Sequence, residues 1–365
     1  MSNDKLLSTT ISYLRFPLIV GVIFKHTRMT TVEIQNVKLN YADLWPWTKY
    51  IFDFFSDVLP MISVPLFFFV SGFLFFYKVD FCKDVYKKKI KSRYKTLLVP
   101  YLIWNFIGFL ILITQMHPRF LSLFPLLKNY RIDITEFISY FWIRELPMDS
   151  GEKAFPINAP LWFVRDLMLL VLASPIIYHL IKKTKAVFII LMGIVYFFSL
   201  AKHFGIPEIC HQSIFFFPLG AFFSINRLNF VKLAENAKWT LSVYPFLAIS
   251  DTLTKGATYN FWFNKTGILV GMIAVVFVVS NLIKSNKIHV NKFLSDASFF
   301  VFALHGIFIS KLMKILVMTI HPQSPVLILF IYFMVPIATI LICLWLYRLL
   351  SGFFPKAMKI ATGGR

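Results

Sequence analysis

The chain has 365 residues, of which 58% are hydrophobic and only 15% are charged, and its formal net charge is +21. Soluble domains contain about 45–50% apolar and about 25% charged residues, so the composition excludes an ordinary water-soluble protein. A basic chain can bind nucleic acid, but no segment is long and polar enough to form a separate basic domain, and no nucleic-acid partner is expected. Three cysteines without a CxxC pair indicate neither a zinc site nor a disulfide framework.

Ten apolar segments approach the length of about 20 residues that a membrane-spanning helix requires. The first continues past Arg15 and Lys25 without a small-residue cleavage site, so we interpret it as a spanning helix and not as a signal peptide. We predict an all-α polytopic membrane protein with about ten transmembrane helices, forming a single domain over 1–365. The predicted segments are 7–27, 53–77, 97–116, 159–180, 186–204, 208–225, 239–253, 263–283, 297–318 and 326–347.

The distribution of basic residues predicts the orientation of these helices. With a cytoplasmic N-terminus, 22 of the 38 Lys and Arg residues fall in cytoplasmic segments. This bias favours both termini in the cytoplasm. The longest outer loop, 117–158, mixes both signs of charge, and it either caps a polar substrate or is a plain connection.

Ionisable side chains inside a bilayer are expensive and tend to be functional. Arg15 and His26 are eleven residues apart, which places them on one face of a helix and about 16 Å apart along its axis. A lone histidine is more often a satisfied core residue, but the arginine on the same face favours a site. His305, in the ninth segment, is a second candidate with the same alternative interpretation.

Arg15 and His26 form an R-x10-H pair that resembles the signature of the acyltransferase-3 family of membrane acyltransferases. Other segments are similar to later elements of that family, and the match is carried by their order along most of the chain. These segments are 65–74 (PLFFFVSGFL), the basic run 87–95 with 97–104 after it, 160–167 (PLWFVRDL), 215–220 and 294–305.

The resemblance implies transfer of an acyl group, acetyl in the first place, from cytosolic acyl-CoA to a hydroxyl of a cell-surface or lipid-linked glycan. His26 then matches the catalytic histidine and Arg15 its partner, while Lys91 and Arg93 match the basic segment expected to bind the CoA donor. Acetyl-CoA or another acyl-CoA would be a substrate, with no permanently bound cofactor. The expected partners are the bilayer, acyl-CoA and the glycan, and the expected location is the bacterial cytoplasmic membrane; the oligomeric state is unknown.

The chemistry is compatible with two roles for His26. A neutral imidazole can take the proton of the attacking sugar hydroxyl, or it can itself carry the acyl group. Arg15 can bind a phosphate or carbonyl of the donor, or fix the geometry. The basic residues around Lys91 and Arg93 are alternatively a cytoplasmic anchor on anionic lipid.

Four further residues are candidates for binding the acceptor. Asp57 lies four residues after Asp53 near the outer end of the second segment, where it can orient His26, bind hydroxyls or simply face water. Trp162, Arg165 and Asp166 open the fourth segment. An aromatic face and planar polar groups suit a sugar, although Trp162 can belong to the interfacial belt and Arg165 with Asp166 can form a structural ion pair.

Two other classes of function remain open on physical grounds. A transporter or flippase for a glycolipid or small molecule would also contain buried arginine and histidine, but no pair of related halves is evident. A non-catalytic scaffold leaves Arg15 and His26 unexplained. No H-E-x-x-H, G-x-S-x-G or P-loop motif is present, and no metal site is predicted.

Overall fold

The fold is taken from a computed structural model, which describes residues 2–29, 31–34, 37–121, 137–142, 155–200 and 211–364. Most of the predicted outer loop 117–158 lies outside these ranges, as does the segment 201–210, which contains the end of the fifth predicted helix and the start of the sixth. The predicted role of that loop in capping a substrate therefore stays a prediction.

The described residues are almost entirely helical. The exception is an antiparallel hairpin of β1 (Thr31–Ile34) and β2 (Val37–Asn40), which the all-α prediction did not include. In chain order the helices are α1 (Asn3–Lys25), α2 (Tyr41–Leu44), α3 (Pro46–Phe52), α4 (Ser63–Phe76), α5 (Lys83–Arg93), α6 (Val99–Met116), α7 (Pro118–Leu121), α8 (Ser139–Trp142), α9 (Trp162–Leu172), α10 (Ser174–Thr184), α11 (Ala186–Phe197), α12 (His211–Ile225), α13 (Phe230–Ala234), α14 (Thr240–Leu253), α15 (Asn260–Lys284), α16 (Lys292–Ile320), α17 (Pro325–Phe353) and α18 (Pro355–Ala361).

Every predicted apolar segment coincides with helix in its described part, and the chain is a multi-pass membrane protein. Within the described part of the chain, six helical stretches are long and apolar enough to cross a bilayer, namely Asn3–Lys25, Pro46–Phe76, Lys83–Met116, Asn260–Lys284, Lys292–Ile320 and Pro325–Phe353. A bent pair, α9 with α10, adds a seventh candidate among the described residues. The helices α11, α12 and α14 have only 12, 15 and 14 residues there, so the lengths do not establish ten crossings.

Proline residues explain two departures from straight helices. The second stretch passes through a π-helical turn, Asp53–Val58, and a 3-10 turn, Leu59–Ile62, where Pro60 cannot donate a backbone hydrogen bond. The predicted fourth helix bends by 61° between α9 and α10, where Pro175 lies in the first turn of α10. The second predicted helix therefore continues through irregular turns, whereas the fourth is a bent pair of helices.

The chain divides into two compact units. Unit 1 contains Met1–Val79 and Phe216–Tyr347, and unit 2 contains Asp80–Phe215 and Arg348–Arg365. In unit 1, α1 packs against α4, α15 and α16 and buries an apolar face. In unit 2, the indole of Trp104 on α6 donates to the Ala361 carbonyl at 2.9 Å, which ties α18 to α6.

Two glycines allow α4 and α12 to touch through their backbones within unit 1. A Cβ atom added at Gly72 would lie 2.0 Å from the carbonyl oxygen of Phe217, and one added at Gly220 would lie 1.9 Å from that of Phe69. Small residues at such crossings are typical of membrane helices, whose association depends on close packing. No larger side chain fits at either position without separating the helices.

The outer surface of α17 is suited to lipid contact. Phe330, Ile337, Leu341 and Trp345 are each 44–61% exposed and recur at intervals of seven, four and four residues, which forms one stripe along the helix. An exposed apolar stripe of this length would be an aggregation hazard in water. In a bilayer it is the expected lipid-facing surface.

Candidate active site

His26 is the first residue beyond α1. Its backbone N–H caps the last turn of this helix by donating to the Ile23 carbonyl at 3.0 Å. The sequence prediction placed it within the helix. The His26 side chain is exposed, yet it lies deep enough among protein atoms that desolvation, together with the charge of Lys25, lowers the pKa of His26 to about 4. The imidazole is therefore neutral at physiological pH, the state that a general base requires.

The structure brings the two candidate histidines together. The ring of His305, midway along α16, lies 5.4 Å from the ring of His26 between centroids, with 45° between the ring planes. His305 is fully buried, and its Nδ1 is 2.6 Å from the carbonyl oxygen of Phe302. The sequence identified both residues but did not predict that they meet, because they are separated by most of the chain.

Four charged side chains join the end of α1 to the π-helical turn beside His26. Arg28 uses both arms of its guanidinium, with Nη2 at 3.0 Å from Asp53 Oδ1 and Nη1 at 3.0 Å from Asp57 Oδ2. Lys25 also pairs with Asp57. We call Lys25, Arg28, Asp53 and Asp57 the charge clasp. A planar fork that bridges two carboxylates holds them in one orientation and offsets their mutual repulsion.

The charge clasp extends on two sides. Lys49 lies 3.9 Å from Asp53 Oδ2. The ammonium of Lys255 lies 2.7 Å from Asp251 Oδ1, and it also donates to the backbone carbonyl of Asp57 at 3.4 Å. The cations and carboxylates near His26 therefore form one network of ion pairs, in which each of the four cations meets a carboxylate.

In the structure, the carboxylate of Asp57 is engaged in ion pairs with two cations. Its carboxylate is 12% exposed and already holds Lys25 and Arg28. Its predicted part in orienting His26 or binding the acceptor stays a prediction. The sequence analysis missed Arg28, which lies beyond the predicted segment 7–27 and beyond the end of α1.

Arg15 lies on α1 within the span and is half-buried. Among the residues that the structure describes, it forms no ion pair. The axial rise of a helix puts it about 16 Å from His26. A guanidinium held inside a span without a carboxylate is available for an anionic ligand.

Lys91 and Arg93 belong to unit 2. The basic run 87–95, which lies between two predicted spanning helices, is itself helical: it forms most of α5 and continues through the π-helical turn Tyr94–Leu98 into α6. The Lys91 side chain is exposed and that of Arg93 is half-buried. Their predicted role in binding the donor stays a prediction.

Trp162, Arg165 and Asp166 also belong to unit 2, at the start of α9. Arg165 and Asp166 are almost completely buried and form an ion pair, with Nη2 3.1 Å from Oδ1, while Nη1 of Arg165 donates to the Trp142 carbonyl at 3.0 Å. This burial favours the structural interpretation that the sequence left open for the pair. Trp162 is half-buried. A role of the three in binding acceptor stays a prediction.

The described ranges contain no cluster of side chains that could form a metal site. No three side chains of His, Cys, Asp or Glu lie close enough there to share an ion.

Comparison with protein families identifies the family of the chain. The model of the family described as an acyltransferase domain matches residues 9–348, nearly the whole chain. The chain belongs to the acyltransferase-3 family. The resemblance drawn from the R-x10-H pair and the ordered segments is thereby confirmed, and the protein is an acyltransferase of the membrane.

One relative of this acyltransferase-3 protein aligns along almost its entire length. The chain is 26% identical over 373 residues to the succinoglycan biosynthesis protein ExoH of Rhizobium meliloti (strain 1021). The alignment covers 99% of this chain and 94% of that protein. No solved structure matches this chain.

Proposed function

We propose that the protein transfers an acyl group, acetyl in the first place, from acyl-CoA to a hydroxyl of a cell-surface or lipid-linked polysaccharide. Family membership supports the acyl transfer, and the similarity to a succinoglycan biosynthesis protein supports a polysaccharide acceptor. The observation that carries the proposal is the accessible, neutral His26 beside the buried His305 at the end of a spanning helix.

His26 acts in this proposal as a general base. Its free ring nitrogen takes the proton of the acceptor hydroxyl while the hydroxyl oxygen attacks the thioester carbonyl. The new C–O ester bond forms, the C–S bond breaks, and the proton passes from His26 to the departing CoA thiolate. The lowered pKa keeps His26 unprotonated before the attack and lets the imidazolium release its proton readily, while it also weakens the imidazole as a base.

Arg15, Lys91 and Arg93 supply positive charge for the donor. CoA carries several phosphates, for which guanidinium and ammonium groups are the usual partners. Arg15 is suited to an anionic group inside the span because it forms no ion pair among the described residues. Lys91 is exposed on α5, where it can meet a phosphate from the cytoplasm.

The proposal includes the orientation of the chain. Both termini lie in the cytoplasm of a bacterial cell, and the chain crosses the cytoplasmic membrane about ten times, with α11, α12 and α14 as its short crossings. His26 then lies towards the outer end of α1 and α5 on the cytoplasmic side. This arrangement places the acyl-transfer step close to the external face.

The test uses purified protein in lipid nanodiscs with acetyl-CoA or succinyl-CoA and a crude lipid-linked glycan extract. Mass spectrometry measures free CoA and acylated glycan for wild type, His26→Ala and the control His179→Ala, which changes an exposed histidine on α10. We expect release by wild type and the control and a loss of at least a hundredfold in His26→Ala. Equal release by His26→Ala would remove His26 from the chemistry, and no release by any protein across both donors would refute acyl-CoA transfer.

A further inference from the structure

His305 presents an unused hydrogen-bond acceptor in the interior of unit 1. A carbonyl oxygen can only accept, so the 2.6 Å contact with the Phe302 carbonyl places the proton of the neutral ring on Nδ1. Nε2 then carries a lone pair. This atom is buried and has no hydrogen-bond partner among the described residues.

An unsatisfied buried polar atom costs about 1–3 kcal/mol, and such atoms call for an explanation. Simple core packing does not supply one, because an apolar residue of similar size would avoid this penalty. The neighbouring ring of His26, 5.4 Å away between centroids, carries an N–H that matches the free lone pair.

The distance between the rings of His26 and His305 is short enough for a hydrogen bond between them, directly or through one water. Two hydrogen bonds of about 2.9 Å each through one water span this distance, and rotation of the accessible His26 side chain brings the two nitrogens closer still. Because α1 packs on α16, the buried ring of His305 is the fixed member of the pair and His26 is the adjustable one.

We propose that His305 is a positioning residue for His26: its Nε2 accepts the N–H of His26, directly or through one water. This contact selects the tautomer of His26 whose other nitrogen, facing the accessible side, is the unprotonated base. A base oriented by a third group is a recurring arrangement in group-transfer enzymes, and in histidine the hydrogen bond at one nitrogen sets the state of the other. The proposal rests on the function proposed above.

The test separates the two nitrogens of His305 with two substitutions. In His305→Asn the amide N–H can still donate to the Phe302 carbonyl, but nothing replaces Nε2. In His305→Gln the longer side chain carries an amide oxygen near the former Nε2 position. We expect His305→Asn to lower kcat about tenfold to a hundredfold, with KM for acyl-CoA within about twofold, and His305→Gln to recover most of the loss.

A second readout does not depend on activity. Solid-state NMR of protein labelled with ¹⁵N-histidine, with the His26 signals assigned by their loss in His26→Ala, reports the tautomer of His26. We expect one tautomer in wild type and a mixture in His305→Asn. Wild-type kcat in His305→Asn, or mixed tautomers in the wild type, would overturn the proposal; the wild-type spectrum decides the matter even where His305→Asn does not fold.

The two proposals fail in different ways. If wild-type protein transfers no acyl group, the proposed function is wrong, while the tautomer measurement still tests the histidine pair. If wild type is active and His26→Ala is not, but His305→Asn retains full kcat, only the positioning role of His305 is wrong.

Discussion

The glycine crossing of α4 and α12 gives a prediction of stability that the structure makes quantitative. In Gly220→Ala the new Cβ would lie 1.9 Å from the Phe69 carbonyl oxygen and 2.9 Å from the Phe73 backbone nitrogen. Side-chain Cβ atoms essentially never come within 3.0 Å of such an atom, so the helices must separate by at least about 1 Å. The obstacle is backbone and cannot rotate away, so we expect a loss near the upper end of the usual 1–3 kcal/mol for overpacking.

Thermal unfolding of the purified protein in detergent measures this loss. With an unfolding entropy of about 2.1 cal/mol/K per residue, a loss of 3 kcal/mol lowers the Tm of a chain of this length by about 4 °C. Gly352→Ala is the matched control, because an added Cβ in α17 meets no atom within 4 Å. Its Tm should stay unchanged or rise slightly, since alanine favours a helix over glycine.

A double substitution tests the geometry itself. Gly72→Ala strains the same crossing from the other side, with its Cβ 2.0 Å from the Phe217 carbonyl oxygen. Once one alanine has separated the helices, the second adds little, so the double variant should lose clearly less than the sum of the single losses. A Tm of Gly220→Ala equal to that of wild type, or strictly additive losses, would refute the close approach.

Two further predictions concern the neighbourhood of His26. The pKa of His26 is lowered to about 4, so the imidazole stays neutral as the pH falls through 6.5, the ordinary pKa of histidine. Protonation of His26 should therefore lower kcat, measured by mass spectrometry, only near pH 4. A decline of kcat centred at pH 6.5 would contradict this. Among the described residues, Arg28→Gln leaves the buried carboxylate of Asp53 with the more distant Lys49 as its remaining ion pair. This change should lower the free energy of unfolding by about 1–3 kcal/mol, and adding Asp53→Asn should restore part of it. Losses that simply add in that double variant would show that the two side chains do not interact.

Much of the helical architecture follows from local sequence. The requirement that backbone groups be satisfied inside a bilayer leaves helix as the only option for an apolar stretch, so the predicted segments coincide with helices. The breaks are less predictable. Pro60 and Pro175 are visible in the sequence, but whether a proline bends a membrane helix or is absorbed by a π or 3-10 turn depends on the helices around it.

The site itself divides in the same way. Arg15, His26 and His305 are recognisable because ionisable groups are rare inside apolar segments. Their arrangement cannot be recognised from the sequence, because the contact between His26 and His305 depends on α1 lying beside α16. Helical periodicity does not predict which helices become neighbours. The charge clasp was missed for the same reason: Arg28 gains its significance only from the carboxylates of Asp53 and Asp57 on another element.

The π-helical turn Asp53–Val58 amounts to one additional residue wound into a helix that otherwise continues into α4. A relative lacking one residue between Asp53 and Asp57 would close it as an ordinary α-helix, with the turns before and after it in their present register. The two aspartates would then be three residues apart, a spacing that still keeps both side chains on one face of a helix. A difference of one residue, which would rotate one end of an ordinary helix by about 100°, can therefore be taken up by this turn without moving the wall beside His26.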